Sequence, residues 1–118
     1  MPRATAEVKW IPKGWGGEKI ICNTDKYCGK ILFFIKGKKC SLHYHNIKDE
    51  HFYIHSGKIL VTYAKIAETF KVDTLEQGDV FHIPPCTTHQ MEALEDTYLY
   101  EFSTHDSPED SIRLTKGD

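Results

Sequence analysis

The chain has 118 residues, of which 40% are hydrophobic and 27% are charged, as expected of one soluble globular domain with a modest core. Its formal charge is -2, from 15 basic and 17 acidic residues, which argues against nucleic acid or an anionic membrane surface as a partner. The opening stretch "MPRATAEVKWIPKGWGG" holds no apolar run suited to a signal peptide or a membrane span, so we expect a cytoplasmic protein.

The pattern along the chain predicts an all-β protein. The apolar run "KILFFIKG" is rich in β-forming residues and stops at Gly37. Gly57, Gly78 and the pair Pro84-Pro85 separate the segments that follow, and no window of about 12 residues keeps a helical period. Many short strands at even spacing indicate a sandwich or a barrel that can hold a small ligand. The further predicted strands are "SLHYH", "HFYIHSG", "KILVTYA", "FKV", "DVFHIP" and "TYLYEFST". The tail "DSPEDSIRLTKGD" predicts one short turn or a final strand.

Two histidines stand one residue apart in the run "SLHYHNIKDEHFYIHSG". Alternate side chains of a strand point to the same face, so His43 and His45 form a pair of possible metal ligands. Glu50 follows after four residues, and a hairpin can fold its carboxylate beside the pair. His89 comes shortly after Pro84, where we expect a loop to add a third imidazole. Such a set suits one divalent ion of manganese, iron, cobalt, nickel or zinc.

The other histidines and the cysteines fit less specific roles. His51 and His55 alternate with apolar residues and face away from Glu50, which indicates a surface or dimer-face position. His82, in "VFHIP", could line a pocket or be a hydrogen-bonded core histidine. No two cysteines form a C-x-x-C pair, so buried thiols are the simplest interpretation of Cys22, Cys28, Cys40 and Cys86.

The spacing of these anchors resembles the two motifs of the cupin superfamily. The first is G-x5-H-x-H-x4-E-x6-G, from Gly37 to Gly57, and the second is G-x5-P-x-C-x2-H, from Gly78 to His89. The resemblance covers residues 37–93 and departs from the family at Cys86, where a glycine is usual, and at Ala93, where an asparagine is usual. Neither position is a metal ligand in the family.

The resemblance implies an all-β fold in which residues 1–118 form a single cupin domain, a jelly-roll barrel also called a double-stranded β-helix. It also implies that His43, His45, Glu50 and His89 hold the metal. Cupin barrels commonly pair through their N-terminal strands, so we expect a homodimer, to which the "ILFFI" run and the outward Tyr44 would contribute.

Two further stretches are similar to the cupin domain of type II mannose-6-phosphate isomerases. They are "GWGGEKIICNTDKYCGKILFFIKGKKCSLHYH", near the entry to the domain, and "YEFSTHDSPEDSIRL", near its end. That family carries a catalytic arginine at the position matching Arg113. The resemblance implies a small-molecule substrate, a carbohydrate, and an isomerase-like activity on a sugar or sugar phosphate.

An aldose–ketose isomerase moves a proton between adjacent carbons while two sugar oxygens are polarised, which a divalent metal can do. Glu101 and His82 are the candidate acid or base groups. Lys30 and Arg113 are the candidates for binding an anionic or sugar-phosphate group. For Glu101 the sequence leaves an alternative open, in which it faces solvent and its neighbours Tyr98, Tyr100 and Phe102 face the core.

Two other functions fit the same ligand set. A site with three histidines and one glutamate could bind Fe(II) with open positions and act as a dioxygenase. A non-catalytic cupin that binds a small molecule or carbohydrate is the other alternative. An apolar, closed pocket would favour oxygen chemistry, and a polar pocket bearing Lys30 or Arg113 would favour isomerisation.

Overall fold

The computed structural model describes residues 8–118, and within this range it contains eleven β-strands and one short 3₁₀ helix. The strands are β1 Lys9–Lys13, β2 Gly16–Asn23, β3 Cys28–Phe34, β4 Leu42–His45, β5 Glu50–Ser56, β6 Lys58–Lys65, β7 Lys71–Glu76, β8 Val80–Ile83, β9 Thr87–Ala93, β10 Thr97–Ser103 and β11 Ser111–Thr115, and the 3₁₀ helix is Pro108–Asp110.

The strands form two antiparallel sheets that face each other as a jelly roll, so the prediction of an all-β jelly-roll barrel is confirmed. One sheet has six strands in the order β1-β2-β3-β10-β5-β8, and the other has five in the order β11-β4-β9-β6-β7. Burial alternates along β3, β5, β9 and β10, as expected of strands with one face toward an interior. The described residues include no helix long and apolar enough to cross a bilayer.

The apolar core lies between the two sheets. Phe34, Ile54, Ile59 and Leu99 are almost fully buried there, and each such side chain contributes on the order of 1.5–3 kcal/mol through burial. Trp15 covers one part of this core, with its ring stacked on that of Phe34 at a centroid distance of 4.2 Å. This packing fixes the positions of the strands that carry the polar side chains of the interior.

Two segments differ from the sequence predictions, and a third adopts both of the structures predicted for it as alternatives. Residues 9–23 form two strands, β1 and β2, where only the run from Lys30 onward was predicted. His89 was expected on a loop but lies in β9, whose inward positions carry polar side chains at Thr87 and His89 and therefore hide the usual alternation. The tail contains both the predicted turn and the predicted final strand.

Candidate metal centre

Strand pairing brings the three predicted histidine ligands together. His43 of β4 is the direct cross-strand partner of His89 of β9, and His45 lies two residues further along the same face. The ring centroids of His43 and His89 are 4.3 Å apart. One nitrogen from each of the three rings lies within 4.8 Å of the others, a spacing that could hold a metal ion.

A backbone carbonyl orients each of these imidazoles. A carbonyl oxygen only accepts hydrogen bonds, so each Nδ1 carries the hydrogen and each Nε2 keeps its lone pair for the interior. This is the tautomer that a metal ligand requires. The three bonds run from Nδ1 of His43 to the Ser41 carbonyl at 2.9 Å, from Nδ1 of His45 to the Asp110 carbonyl at 3.0 Å, and from Nδ1 of His89 to the Thr87 carbonyl at 2.9 Å.

Burial also keeps these rings uncharged. Desolvation lowers the pKa of His43 to about 4 and lowers the pKa of His89 well below its ordinary value. The pKa of His45 is lowered by desolvation and then by the nearby Lys48 ammonium. All three imidazoles are therefore neutral near pH 7, the state in which histidine binds metals.

Glu50 supplies a carboxylate at the same place. Its Oε2 lies 3.6 Å from Nε2 of His89 and 3.8 Å from Nε2 of His45. This oxygen is buried and has no hydrogen-bond partner among the described residues, and burial, followed by the charge of Glu101, raises the pKa of the carboxyl group to about 8. A buried oxygen without a partner is costly. A divalent cation between Glu50 and the imidazoles would satisfy it, so the donor set fits a metal.

A network of buried charges surrounds Glu50. The Lys48 ammonium, only 3% exposed, lies 3.1 Å from Oε1 of Glu50, 2.7 Å from Oε2 of Glu101 and 2.8 Å from Oδ1 of Asp106. Lys30 joins the same network through Asp106 and Glu18. When all these groups are ionised, two ammonium groups oppose four carboxylates. The remaining charge of -2 is the amount that one divalent cation would neutralise.

The candidate ligands and this network line one cavity of about 1040 Å³. Arg113 of β11 also lines it, as the cross-strand partner of His43, and its side chain is exposed. The cavity is lined by ionisable and apolar side chains together, since Trp15, Phe34 and Met91 border it as well. Its size and lining suit a small polar molecule.

Glu101 points into this cavity. It is 4% exposed, whereas its neighbours Tyr98 and Phe102 are 47% and 59% exposed, so the alternative in which these aromatics face the core and Glu101 faces solvent is wrong. Leu99 is the apolar inward residue of the same strand. The aromatic side chains of β10 lie on the outer face of the six-stranded sheet. Hydrophobicity alone would place these aromatics inside, which is why the sequence left the opposite orientation of the strand open.

Lys30 lines the cavity, but its ammonium group already binds two carboxylates. Its ammonium is 3.2 Å from Oε1 of Glu18 and 2.8 Å from Oδ2 of Asp106, and its side chain is 6% exposed. An ammonium group has three donors, so at most one of them is left for a substrate. A role in substrate binding stays a prediction for Lys30 and for Arg113.

His82 does not reach the cavity. It lies exposed on β8, where its Nε2 is 2.6 Å from Oδ1 of Asp49 and its ring stacks on His51 at a centroid distance of 4.2 Å. Both expectations for it, a pocket position and a core position, fail because β8 is the edge strand of its sheet and His82 is on the outer face. This position removes His82 from the candidate acid or base groups. His51 and His55 are exposed, as predicted.

Two residues of the site were missed in the sequence. Lys48 stands two residues before Glu50, and the same alternation that pairs His43 with His45 would have placed it on the inner face. Asp106 comes from the polar tail, where nothing in the local pattern marks it. It reaches the site because Lys30 and Lys48 both bind its carboxylate.

The turn before β9 explains the family preference for glycine at position 86. Cys86 has a φ of +64°, in the left-handed region that glycine adopts without steric cost. Its backbone N–H donates a hydrogen bond to the carbonyl of His45 at 2.7 Å, which ties this turn to the metal-site strand. The substitution of cysteine for glycine therefore keeps the turn despite the less favourable backbone conformation.

Residues 31–102 match the cupin domain family Cupin_2, a region of more than half the chain that contains all four candidate ligands. The chain belongs to the cupin domain family.

Curated relatives of this cupin include oxalate decarboxylases from Arthroderma benhamiae. A probable oxalate decarboxylase of that organism is 29% identical over 94 residues, which are 77% of this chain and 23% of the relative. A second oxalate decarboxylase is 27% identical over 86 residues, which are 70% of this chain and 20% of the relative. The chain thus spans less than a quarter of the length of these relatives.

Solved structures with the same fold are more diverse. The capsular polysaccharide assembling protein CapF from Staphylococcus aureus has a TM-score of 0.81 and 18% identity, over 94% of this cupin and 35% of that chain. Oxalate decarboxylase from Bacillus subtilis has a TM-score of 0.80 and 18% identity, over 92% and 30% of the two chains. KdgF from Halomonas sp. has a TM-score of 0.74 and 22% identity, over 86% and 89%. The TM-scores show a shared fold, and at identities this low the likeness shows the fold alone.

Proposed function

We propose that this cupin holds one divalent metal ion on His43, His45, Glu50 and His89 and acts as an isomerase on a sugar or sugar phosphate. The observation that carries the metal site is the buried Oε2 of Glu50, which has no hydrogen-bond partner among the described residues and lies within 4 Å of two imidazole nitrogens. Manganese, iron, zinc, nickel and cobalt all suit this donor set. When bound, such an ion supplies a Lewis acid that polarises adjacent hydroxyl and carbonyl oxygens of a sugar.

Glu101 is the proposed acid and base. Its Oε2 is held by the Lys48 ammonium at 2.7 Å and accepts a hydrogen bond from the Ser103 hydroxyl at 2.8 Å. Its Oε1 makes no hydrogen bond within the described residues, and Glu101 lines the cavity. This oxygen can take the proton from the carbon beside the sugar carbonyl and return it to the neighbouring carbon, while a hydroxyl proton moves to the former carbonyl oxygen. No proton or electron is gained or lost overall.

Arg113 is the proposed contact for an anionic group of the substrate. Its side chain is exposed and borders the cavity next to His43, so it can bind a phosphate without first breaking a buried ion pair. Lys30 is the weaker proposal because Glu18 and Asp106 already bind its ammonium. The likeness to CapF, described as a capsular polysaccharide assembling protein, supports a carbohydrate substrate.

The ionisable lining of the cavity supports this function over the dioxygenase alternative. Six ionisable side chains of the charge network line the cavity. A dioxygenase would be expected to have an apolar, closed pocket, so this lining favours isomerisation over oxygen chemistry. Decarboxylation of a small organic acid is the second candidate, favoured by the two curated relatives that are named as oxalate decarboxylases. Arg113 could bind the carboxylate of such a substrate as well.

The metal is tested by elemental analysis of the purified protein and of His45→Ala. We expect about one divalent ion per chain in the wild type and a loss of most of it in the variant. Equal metal contents in the two proteins would show that the ligand set is wrong.

The reaction is tested with a panel of sugars and sugar phosphates in D2O, followed by NMR. We expect isomer formation with deuterium at the exchanging carbon, a large loss in Glu101→Gln and little change in His82→Gln, since His82 lies outside the cavity. Release of CO2 from oxalate, or oxygen uptake, without any isomer would favour decarboxylation or a dioxygenase instead. Ligand-dependent thermal shifts without turnover of any substrate would indicate a binding protein.

A further inference from the structure

The side chain of Lys48 connects the candidate metal ligand Glu50 to the candidate base Glu101. It is 3% exposed, and its ammonium lies 3.1 Å from Oε1 of Glu50 and 2.7 Å from Oε2 of Glu101. Its third contact is Oδ1 of Asp106 at 2.8 Å. The contact with Asp106 is a hydrogen bond, and the contacts with the two glutamates are ion pairs, so three carboxylates surround the ammonium group.

The two oxygens of Glu50 are consequently in different environments. Oε1 is bound by Lys48, and Oε2 has no hydrogen-bond partner in the part of the chain that the structure describes. With Oε1 held, rotation of the carboxylate is restricted, and Oε2 is directed at Nε2 of His89 and Nε2 of His45. Mutation of a group that holds a ligand in this way typically costs about 10-fold to 100-fold in metal affinity.

Glu101 is restrained by the same ammonium. Glu50 and Glu101 both contact Nζ of Lys48, so the two carboxylates are close neighbours in the interior. Without the lysine, either carboxylate would be free to turn toward a nearby cation. The ammonium binds one oxygen of each and thereby keeps them in separate roles.

We propose that Lys48 is a positioning residue, which presents a single oxygen of Glu50 to the metal and holds Glu101 outside the metal's set of ligands. This inference rests on the proposed metal site and adds a definite role for a residue that is not itself a ligand. Lys30 provides a matched comparison, because it is a second buried lysine in the same network, 6% exposed, and binds Glu18 and Asp106 without contacting Glu50.

The test uses Co²⁺ as the probe, since the visible absorption of this ion reports its ligands and geometry. Wild type, Lys48→Met and Lys30→Met are each loaded with Co²⁺, and their spectra are compared together with the affinity from a titration. We expect Lys48→Met to shift the absorption bands and to change the affinity about 10-fold or more, while Lys30→Met keeps the wild-type bands. If Lys48 only stabilised the fold, both variants would melt at a lower temperature, and the Co²⁺ spectra of both would match that of the wild type.

A charge-balanced variant covers the case in which Lys48→Met does not fold. Lys48→Met combined with Glu101→Gln removes one charge of each sign, and its spectrum is compared with that of Glu101→Gln alone. We expect the bands of the double variant to differ from those of the single variant, because Glu50 has lost its partner. Adding Glu50→Gln should abolish that difference if Lys48 acts through Glu50.

The outcomes distinguish this inference from the metal site itself. If Lys48→Met keeps the wild-type Co²⁺ bands and the charge-balanced variant keeps the bands of Glu101→Gln, the role of Lys48 is overturned and the metal site stands. If the wild type gives no Co²⁺ absorption that depends on His45, both proposals are overturned.

Discussion

Nε2 of His89 lies 3.6 Å from Oε2 of Glu50, and that oxygen has no hydrogen-bond partner among the described residues. The first prediction follows from this pair. A cation bound between them stabilises only the folded state, so Co²⁺ at about 100 times its Kd should add about 2.7 kcal/mol and raise the melting temperature by roughly 10 °C. Differential scanning fluorimetry with and without Co²⁺ measures the rise.

His89→Ala should lose this rise, whatever its melting temperature without metal. His51→Ala is the matched control, because His51 is an exposed histidine of the same barrel that does not line the cavity. A rise of equal size in His89→Ala and the wild type would place the bound Co²⁺ elsewhere.

Asp106 should make stability depend on pH. Burial alone would raise the pKa of its carboxyl group, but the charges and hydrogen bonds of Lys48 and Lys30 outweigh burial and lower the pKa below the ordinary value of 3.8. The folded state therefore binds this proton less readily than the unfolded state, so the contribution to stability is complete above the unfolded pKa and declines as the pH falls toward the folded one. We expect Asp106→Asn to cost about 2 kcal/mol near neutral pH.

Urea denaturation at a series of pH values tests this. The deficit of Asp106→Asn relative to the wild type should shrink once the pH falls below about 4, the ordinary range of an aspartate pKa. Asp25→Asn serves as the control, because Asp25 is exposed and makes no ion pair among the described residues. A deficit that stays constant down to about pH 3 would contradict the prediction, since aspartate in the unfolded chain is largely protonated there.

Gly57 should tolerate alanine far less well than Gly78. Both have a positive φ, +94° and +92°, so alanine is strained at either position. A Cβ at Gly57 would also collide with the backbone of Asp96 and Thr97, whereas a Cβ at Gly78 would meet nothing within 4 Å. We expect Gly78→Ala to cost about 1–2 kcal/mol and Gly57→Ala roughly 3 kcal/mol or more in free energy of unfolding. Equal costs in chemical denaturation would mean that the turn at Gly57, between β5 and β6, relaxes around the added methyl group.

The homodimer stays a prediction, and the outer face of the six-stranded sheet is where it can be tested. A shallow cavity of about 300 Å³ there is lined by Trp10, Lys19, Ile31, Phe33 and Tyr98, and Phe33 belongs to the apolar run that suggested an interface. We expect the wild type to sediment as a dimer and Phe33→Lys to shift it toward monomer. Phe70→Lys is the control, since Phe70 is 49% exposed and precedes β7 of the other sheet. A wild type that sediments as a monomer would end this prediction.

Local spacing was sufficient for the family and for the inward pair of histidines. Strand geometry places residues i and i+2 on one face, so His43 and His45 were predictable from their separation alone. The glycines at 37, 57 and 78 have positive φ values, which is why the motif requires them. Such features depend only on neighbours in the chain, and a sequence contains that information directly.

The orientation of Glu101, the strand position of His89 and the role of Lys48 were decided by the tertiary structure. Shifting a strand by one residue exchanges its two faces, and the register of β10 against β3 and β5 turns Glu101 inward although aromatics flank it. Asp106 is 58 residues from Lys48 along the chain, and their contact exists only because the folded barrel brings the tail across the cavity. The sequence by itself determined which side chains could bind a metal. Only the closed barrel decided which charges they face, because electrostatic interactions depend on distances through space and on burial from water.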